Sequence, residues 1–171
     1  PVFTPSDHAQ NNGVIILLHG LNERKWDKYL TWAHYLTEKT GKSVILFPIS
    51  FHQNRGPVDW ADPRTMREKA EIRQLRLHSK NGLSTLFNYA LSERLSESPE
   101  RFFLSGLQTA NDLVNLLKDI RESRHPLFAK GTYPDIFAYS IGGLLAQVLY
   151  ISNPHELFTH SKLFLFCAGS L

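Results

Sequence analysis

A single cysteine, Cys167, excludes any disulfide within the 171-residue chain. The 8 histidines lack metal-ligand spacing and no glycine-rich phosphate loop occurs, so no metal and no organic cofactor is implied. Long apolar runs are missing too, and none approaches the roughly 18 residues that a membrane helix needs. Charge of one sign is scarce: 19 Lys and Arg against 16 Asp and Glu leave a formal +3, with no nucleic-acid motif beside it. No signal peptide is visible, which makes a cytoplasmic location the expectation. What is present, 42% hydrophobic and 12% aromatic residues, is ordinary for a folded domain with a sizeable core and excludes disorder.

The small positive excess is local. Residues 55–80 hold Arg55, Arg64, Arg67, Lys69, Arg73, Arg76 and Lys80 against Asp59, Asp62, Glu68 and Glu71. A charge-mixed helix on a solvated face accounts for that pattern, and a contact surface for phosphate, anionic lipid or an acidic partner is the other reading.

Along the chain, Pro1 to Asn12 is polar and reads as an irregular lead-in. Gly13 to Leu18 is a continuous apolar run rich in β-branched residues, the pattern of a strand buried on both faces. A helix follows with Trp26, Tyr29, Leu30, Ala33 and Leu36 on one face and Gly41 as its stop. Val44 to Phe47 is the next strand, which completes a βαβ unit. Residues 51–104 interrupt this rhythm as a helical insertion or cap, with a helix start at Asp62-Pro63 and an apolar stripe Leu83, Leu86, Phe87, Ala90, Leu91, Leu95. Alternation resumes with a helix through Ala110, Leu113, Leu117 and Ile120. A strand at 134–139, a helix at 141–152 and a strand at 163–166 follow. The expected fold is α/β: one domain over 1–171, a parallel sheet of about four strands flanked by helices, with the insertion at the loop end of the strands.

The residues richest in chemistry are Ala138-Tyr139-Ser140-Ile141-Gly142-Gly143. A serine stands between a buried strand and a helix, with small residues two positions either side. Such a turn strains the backbone, and larger side chains at those positions would collide. The helix start aims its amides and positive dipole end at the serine. Small residues at a strand-to-helix turn also serve plain packing, and His19 at the end of the first strand could simply be a hydrogen-bonded strand terminus.

Taken together and in this order, the two segments resemble the α/β-hydrolase superfamily, in its serine esterase- or lipase-like form. Ala138-x-Ser140-x-Gly142 looks like the nucleophile elbow, with alanine for the usual first glycine, and His19-Gly20 looks like the oxyanion-hole loop. The resemblance covers residues 13–50 and 106–168. It implies Ser140 as nucleophile, the backbone N–H groups of Leu21 and Ile141 as oxyanion donors, and His19, Gly20, Tyr139, Gly142 and His52 lining the site. By it, the strands are the third to sixth of an eight-stranded sheet.

A catalytic base and acid are harder to find. The superfamily order is serine, acid, histidine, and only His155, Glu156 and His160 follow Ser140. The helix after Ser140 carries them roughly 18 Å away at 1.5 Å per residue. Asp135 lies about 16 Å back along its strand. Cys167 reads as a small core-edge residue. His52 follows a strand at the correct edge but two strands over, about 10 Å away, where a pocket role or solvent exposure suits it better. The acid and histidine are therefore expected outside this chain, which opens without Met and ends abruptly at Leu171. The expected function is hydrolysis of a small-molecule ester or related acyl bond. The alternative is a non-catalytic domain of the same fold that binds a ligand or partner. Trp60, Phe87 and Tyr89 hint at an apolar pocket in the insertion.

Overall fold

The computed structural model describes residues 1–6, 13–77 and 85–169. Strand β2 (Val14–Leu18) and strand β3 (Ser43–Phe47) are buried at every position, as strands covered on both faces must be. Between them α1 (Asp27–Thr40) ends at Gly41, whose φ of 65° lets its N–H reach the Thr37 carbonyl. Strands β4 (Pro134–Tyr139) and β5 (Leu163–Phe166) flank α5 (Ile141–Ser152). The sheet order is β1-β3-β2-β4-β5, with four parallel strands. The fifth, β1 (Val2–Phe3), pairs antiparallel with β3 inside the stretch expected to be irregular. A two-residue strand lies below the reach of periodicity, and it is the open edge of β3 that makes Val2 and Phe3 pair. The rest of that lead-in, from residue 7, lies outside the described residues.

Alternation along the strands divides the core. Ile16, Leu18 and Ile45 face α4 (Glu100–Arg121) and α5 through Leu113, Leu117, Ala146 and Leu149. Ile15, Leu17, Val44 and Leu46 face α1 through Tyr29 and Ala33. The buried stripe of α1 is thus Tyr29, Ala33 and Thr37, whereas Leu30, expected to be inward, is exposed.

Among its described residues the insertion holds two 3₁₀ turns and two helices, α2 (Pro63–Arg76) and α3 (Leu86–Glu97). Asp62 caps α2 as expected, accepting from the Arg64 and Thr65 N–H groups. Leu83, Lys80 and Ser170 lie outside the described residues. The expected boundary at residue 104 falls inside α4, which is one helix of 22 residues. Its first turns expose Phe102, Phe103 and Leu107, and its last turns pack on the sheet. Gly106 does not break it, since one interior glycine costs only about 1 kcal/mol against the packing of the later turns. No described helix is long and apolar enough to cross a membrane.

Candidate active site

Strand β4 ends at Tyr139, and the chain turns into α5 through Ser140 at φ 53°, ψ −119°. An L side chain is crowded there, at a cost of about 1–3 kcal/mol. Two hydrogen bonds hold the turn: Ser140 N–H donates to the Phe166 carbonyl at 3.1 Å, and Gly143 N–H donates to the Ser140 carbonyl at 2.9 Å. Both neighbouring glycines are required by close approach. A Cβ on Gly142 would sit 2.7 Å from Leu18 Cβ and 2.9 Å from the His19 carbonyl oxygen. On Gly143 it would sit 2.3 Å from Ala168 Cβ. The atoms nearest to Gly142 therefore belong to the adjacent strand's loop and not to Ala138, where the collision was expected.

That loop is brought alongside by the β2–β4 register, which pairs Leu18 with Ala138. His19 is fully buried. Its Nδ1–H donates to the Gly20 carbonyl at 2.8 Å, and its Nε2 accepts from the Ile49 N–H at 2.9 Å. Because a carbonyl only accepts and an amide only donates, this network selects the Nδ1–H tautomer. Burial pushes the His19 pKa down to about 4, helped by His52 and Lys28 and opposed by the Gly20 carbonyl. His19 is thus a neutral strut between the loops after β2 and β3. Gly20 N–H donates to Tyr29 Oη at 2.9 Å, and Tyr29 donates to Glu23 Oε1 at 3.0 Å. A Cβ on Gly20 would meet the Tyr139 ring at 2.8 Å. With Gly20 held, the next amide, Leu21 N–H, makes no backbone hydrogen bond among the described residues. Ile141 N–H, in the first turn of α5, is in the same condition. One donor is next to Ser140 in the chain, and the other lies two residues beyond His19, whose carbonyl Gly142 approaches.

The other titratable candidates separate by edge. Asp135 is paired with Lys42 and accepts from the Lys162 N–H at 2.8 Å, both at the far ends of the strands. His160 packs against Tyr133, just before β4, and the His155 carbonyl accepts from Arg121 at the C-terminal end of α4. His155, Glu156 and His160 therefore sit at the edge opposite Ser140, and all three are exposed. Cys167 is exposed instead of lying at a core edge, because it follows β5, the edge strand of the described sheet. Cys167, next to the Phe166 whose carbonyl holds Ser140 N–H, shares the serine's edge, and so does His52. The His52 ring lies 5.3 Å from that of His19, and its Nδ1–H donates to the Ser50 carbonyl at 2.9 Å, with no partner for Nε2 among the described residues. Burial lowers its pKa, with Arg94 adding to the effect and Glu23 opposing it. Ser140 has no imidazole hydrogen-bonded to it among the described residues.

Between the insertion, α4 and α5 lies a cavity of about 490 Å³. Leu21 and Ile141 line it, so the two free amides belong to residues at its wall, as do His52 and Trp60. Phe87 instead packs beneath Arg24, 3.6 Å from its ring centroid. Most of the wall is apolar, from Leu91, Leu95, Leu144 and Val148 among others. The exception is Arg94, only 3% exposed, with Arg101 beside it. Sequence reasoning missed Arg94, although a signal existed. Phe87, Ala90, Leu91 and Arg94 stand at i, i+3, i+4 and i+7, so a cation occupies the apolar stripe itself. Glu23 and Tyr29, which hold Gly20, carried no comparable signal.

Among the described residues no group of three or more His, Cys, Asp or Glu could hold a metal ion. Over residues 1–171 the chain matches, and belongs to, the Family of unknown function (DUF6051). No curated protein and no solved structure matches it.

Proposed function

We propose that this DUF6051 member is a serine hydrolase of the α/β-hydrolase type, acting on an ester or related acyl bond. The observation that carries the reading is Ser140. It is held in a strained backbone at the start of α5, with the free amide of Ile141 in the first turn of that helix and that of Leu21 in the loop after the neighbouring strand β2. In the proposed reaction Ser140 Oγ adds to the acyl carbonyl and its proton passes to a general base. The ester C–O bond then breaks, the alcohol leaves with that proton, and water releases the acid and restores Ser140. The two amides donate to the oxyanion that forms, and the residue 51–104 region with α4 shapes the substrate pocket. The strand order supports the α/β-hydrolase likeness, since the serine strand neighbours the His19 strand and the strand before His52 lies two places away. Nothing in this scheme calls for a metal or organic cofactor.

One observation favours a second reading, a ligand-binding domain without turnover. Among the described residues no imidazole is hydrogen-bonded to Ser140, whereas the apolar cavity is already formed. A fluorophosphonate probe separates the two. It is expected to label the protein at Ser140, and Ser140→Ala is expected to abolish labelling. Folded protein that resists the probe would leave the binding reading in place.

A further inference from the structure

The guanidinium of Arg94 is buried without a carboxylate beside it among the described residues. Its Nη1 lies 3.0 Å from Met66 Sδ, its Nη2 donates to Asn22 Oδ1 at 3.2 Å, and its Cζ stands 4.3 Å from the centre of the Trp60 ring. Every one of these partners is neutral. The Nε of Arg94 has no partner at all among the described residues. Nor does any carboxylate oxygen come within ion-pair distance of it there. Arg101 faces the same indole at 5.1 Å. Burial, together with Arg24 and Arg101, brings the Arg94 pKa down to about 10, with Asp59 and Glu97 opposing from further off. Stable proteins seldom leave a buried cation unpaired, because the cost of removing it from water is recovered only through a counter-charge. Apart from Asn22, His52 and Ser105, the rest of the cavity wall beyond the two arginines is mostly apolar, which suits a chain.

We propose that the cavity binds an amphiphile whose oxyanionic head, a carboxylate or phosphate, seats between Arg94 and Arg101 while its apolar chain fills the remaining space. Arginine suits this role because its planar fork donates two parallel hydrogen bonds to such a head. Asn22 ties the seat to the site: it holds Arg94 and follows Leu21, so an occupied seat bears directly on the loop that presents the Leu21 amide. That the ligand is a substrate, an ester that also carries an anionic group, rests on the hydrolase reading. The anion seat itself does not.

Calorimetric titration of the Ser140→Ala protein tests the seat without turnover, using four ligands of equal chain length below their micelle concentrations: dodecanoate, dodecyl phosphate, dodecanol and dodecyltrimethylammonium. The two anions are expected to bind at least about tenfold more tightly than the alcohol, with the cation weakest. The tighter anion identifies the head group. Arg94→Met is expected to remove the anion preference while leaving dodecanol binding unchanged. Arg101→Met, at a half-buried position, is expected to reduce that preference and covers the case in which Arg94→Met does not fold. Equal affinity for anions and alcohol, or an anion preference that survives both variants, would overturn the proposal. Failure of fluorophosphonate labelling with the anion preference intact would remove the hydrolase reading and leave the seat.

Discussion

At Ser140 the backbone occupies φ 53°, ψ −119°, where glycine is at ease and serine is not. Ser140→Gly is therefore expected to raise the thermal midpoint, by an amount worth about 1 kcal/mol, while eliminating fluorophosphonate labelling. Calorimetry with parallel labelling reads both, and a lowered midpoint would show that the turn carries no strain. The strand-to-helix turn at Ser140 was legible because its signature is local: Ala138, Ser140 and Gly142 lie within five consecutive residues. Why Gly142 must be glycine was not legible. The atoms it clears, on Leu18 and His19, are more than 120 positions earlier in the chain. Arg94 shows the same limit from the other side. Its place in an apolar stripe could be read, but not that Trp60, Met66 and Asn22 would be its partners.

Among the elements, the helices of the insertion differ in kind from those on the sheet. Strands β2 and β3 bury all ten of their residues, whereas α2 buries only Met66 and Ala70. Helix α3 buries Ala90 with two charged residues, Glu93 and Arg94. Local opening follows the density of buried apolar contacts. In native-state hydrogen exchange, amides of residues 67–76 and 90–97 are expected to exchange at least about tenfold faster than those of Ile15–Leu18. Equal protection would mean that the insertion opens only with the whole molecule. Element types were readable from periodicity, because a buried parallel strand and an amphipathic helix each leave a mark on neighbouring residues. The continuity of α4 was not. Its two halves face different surroundings, the cavity and the sheet, and composition changes at residue 104 as it would at a boundary.

Over the whole molecule, the basic excess of residues 55–80 is met by acids from elsewhere. Arg55 pairs with Asp112, Lys69 with Glu97, and Arg76 with the buried Glu93. Those pairs weaken the case for a bare anionic-lipid surface on that stretch. Stability as a whole is expected to depend on pH through His19. Its folded pKa, about 4, lies below the ordinary 6.5, so the unfolded chain takes up the proton first as pH falls. The stabilisation is complete above pH 6.5 and is lost on descending towards pH 4, about 3 kcal/mol in all. Burial of His52 acts in the same direction. Urea midpoints are expected to fall across that window and to fall less in His19→Asn; an equal slope in both proteins would place the proton elsewhere. By itself the sequence determined the alternation of strands and helices and the turn at Ser140, because each rests on residues close together in the chain. Tertiary structure alone decided the sheet order, the neutral strut at His19, the cavity and the unpaired cation within it. Those depend on which distant surfaces meet, and hydrophobic patterning records that a face is buried without recording against what.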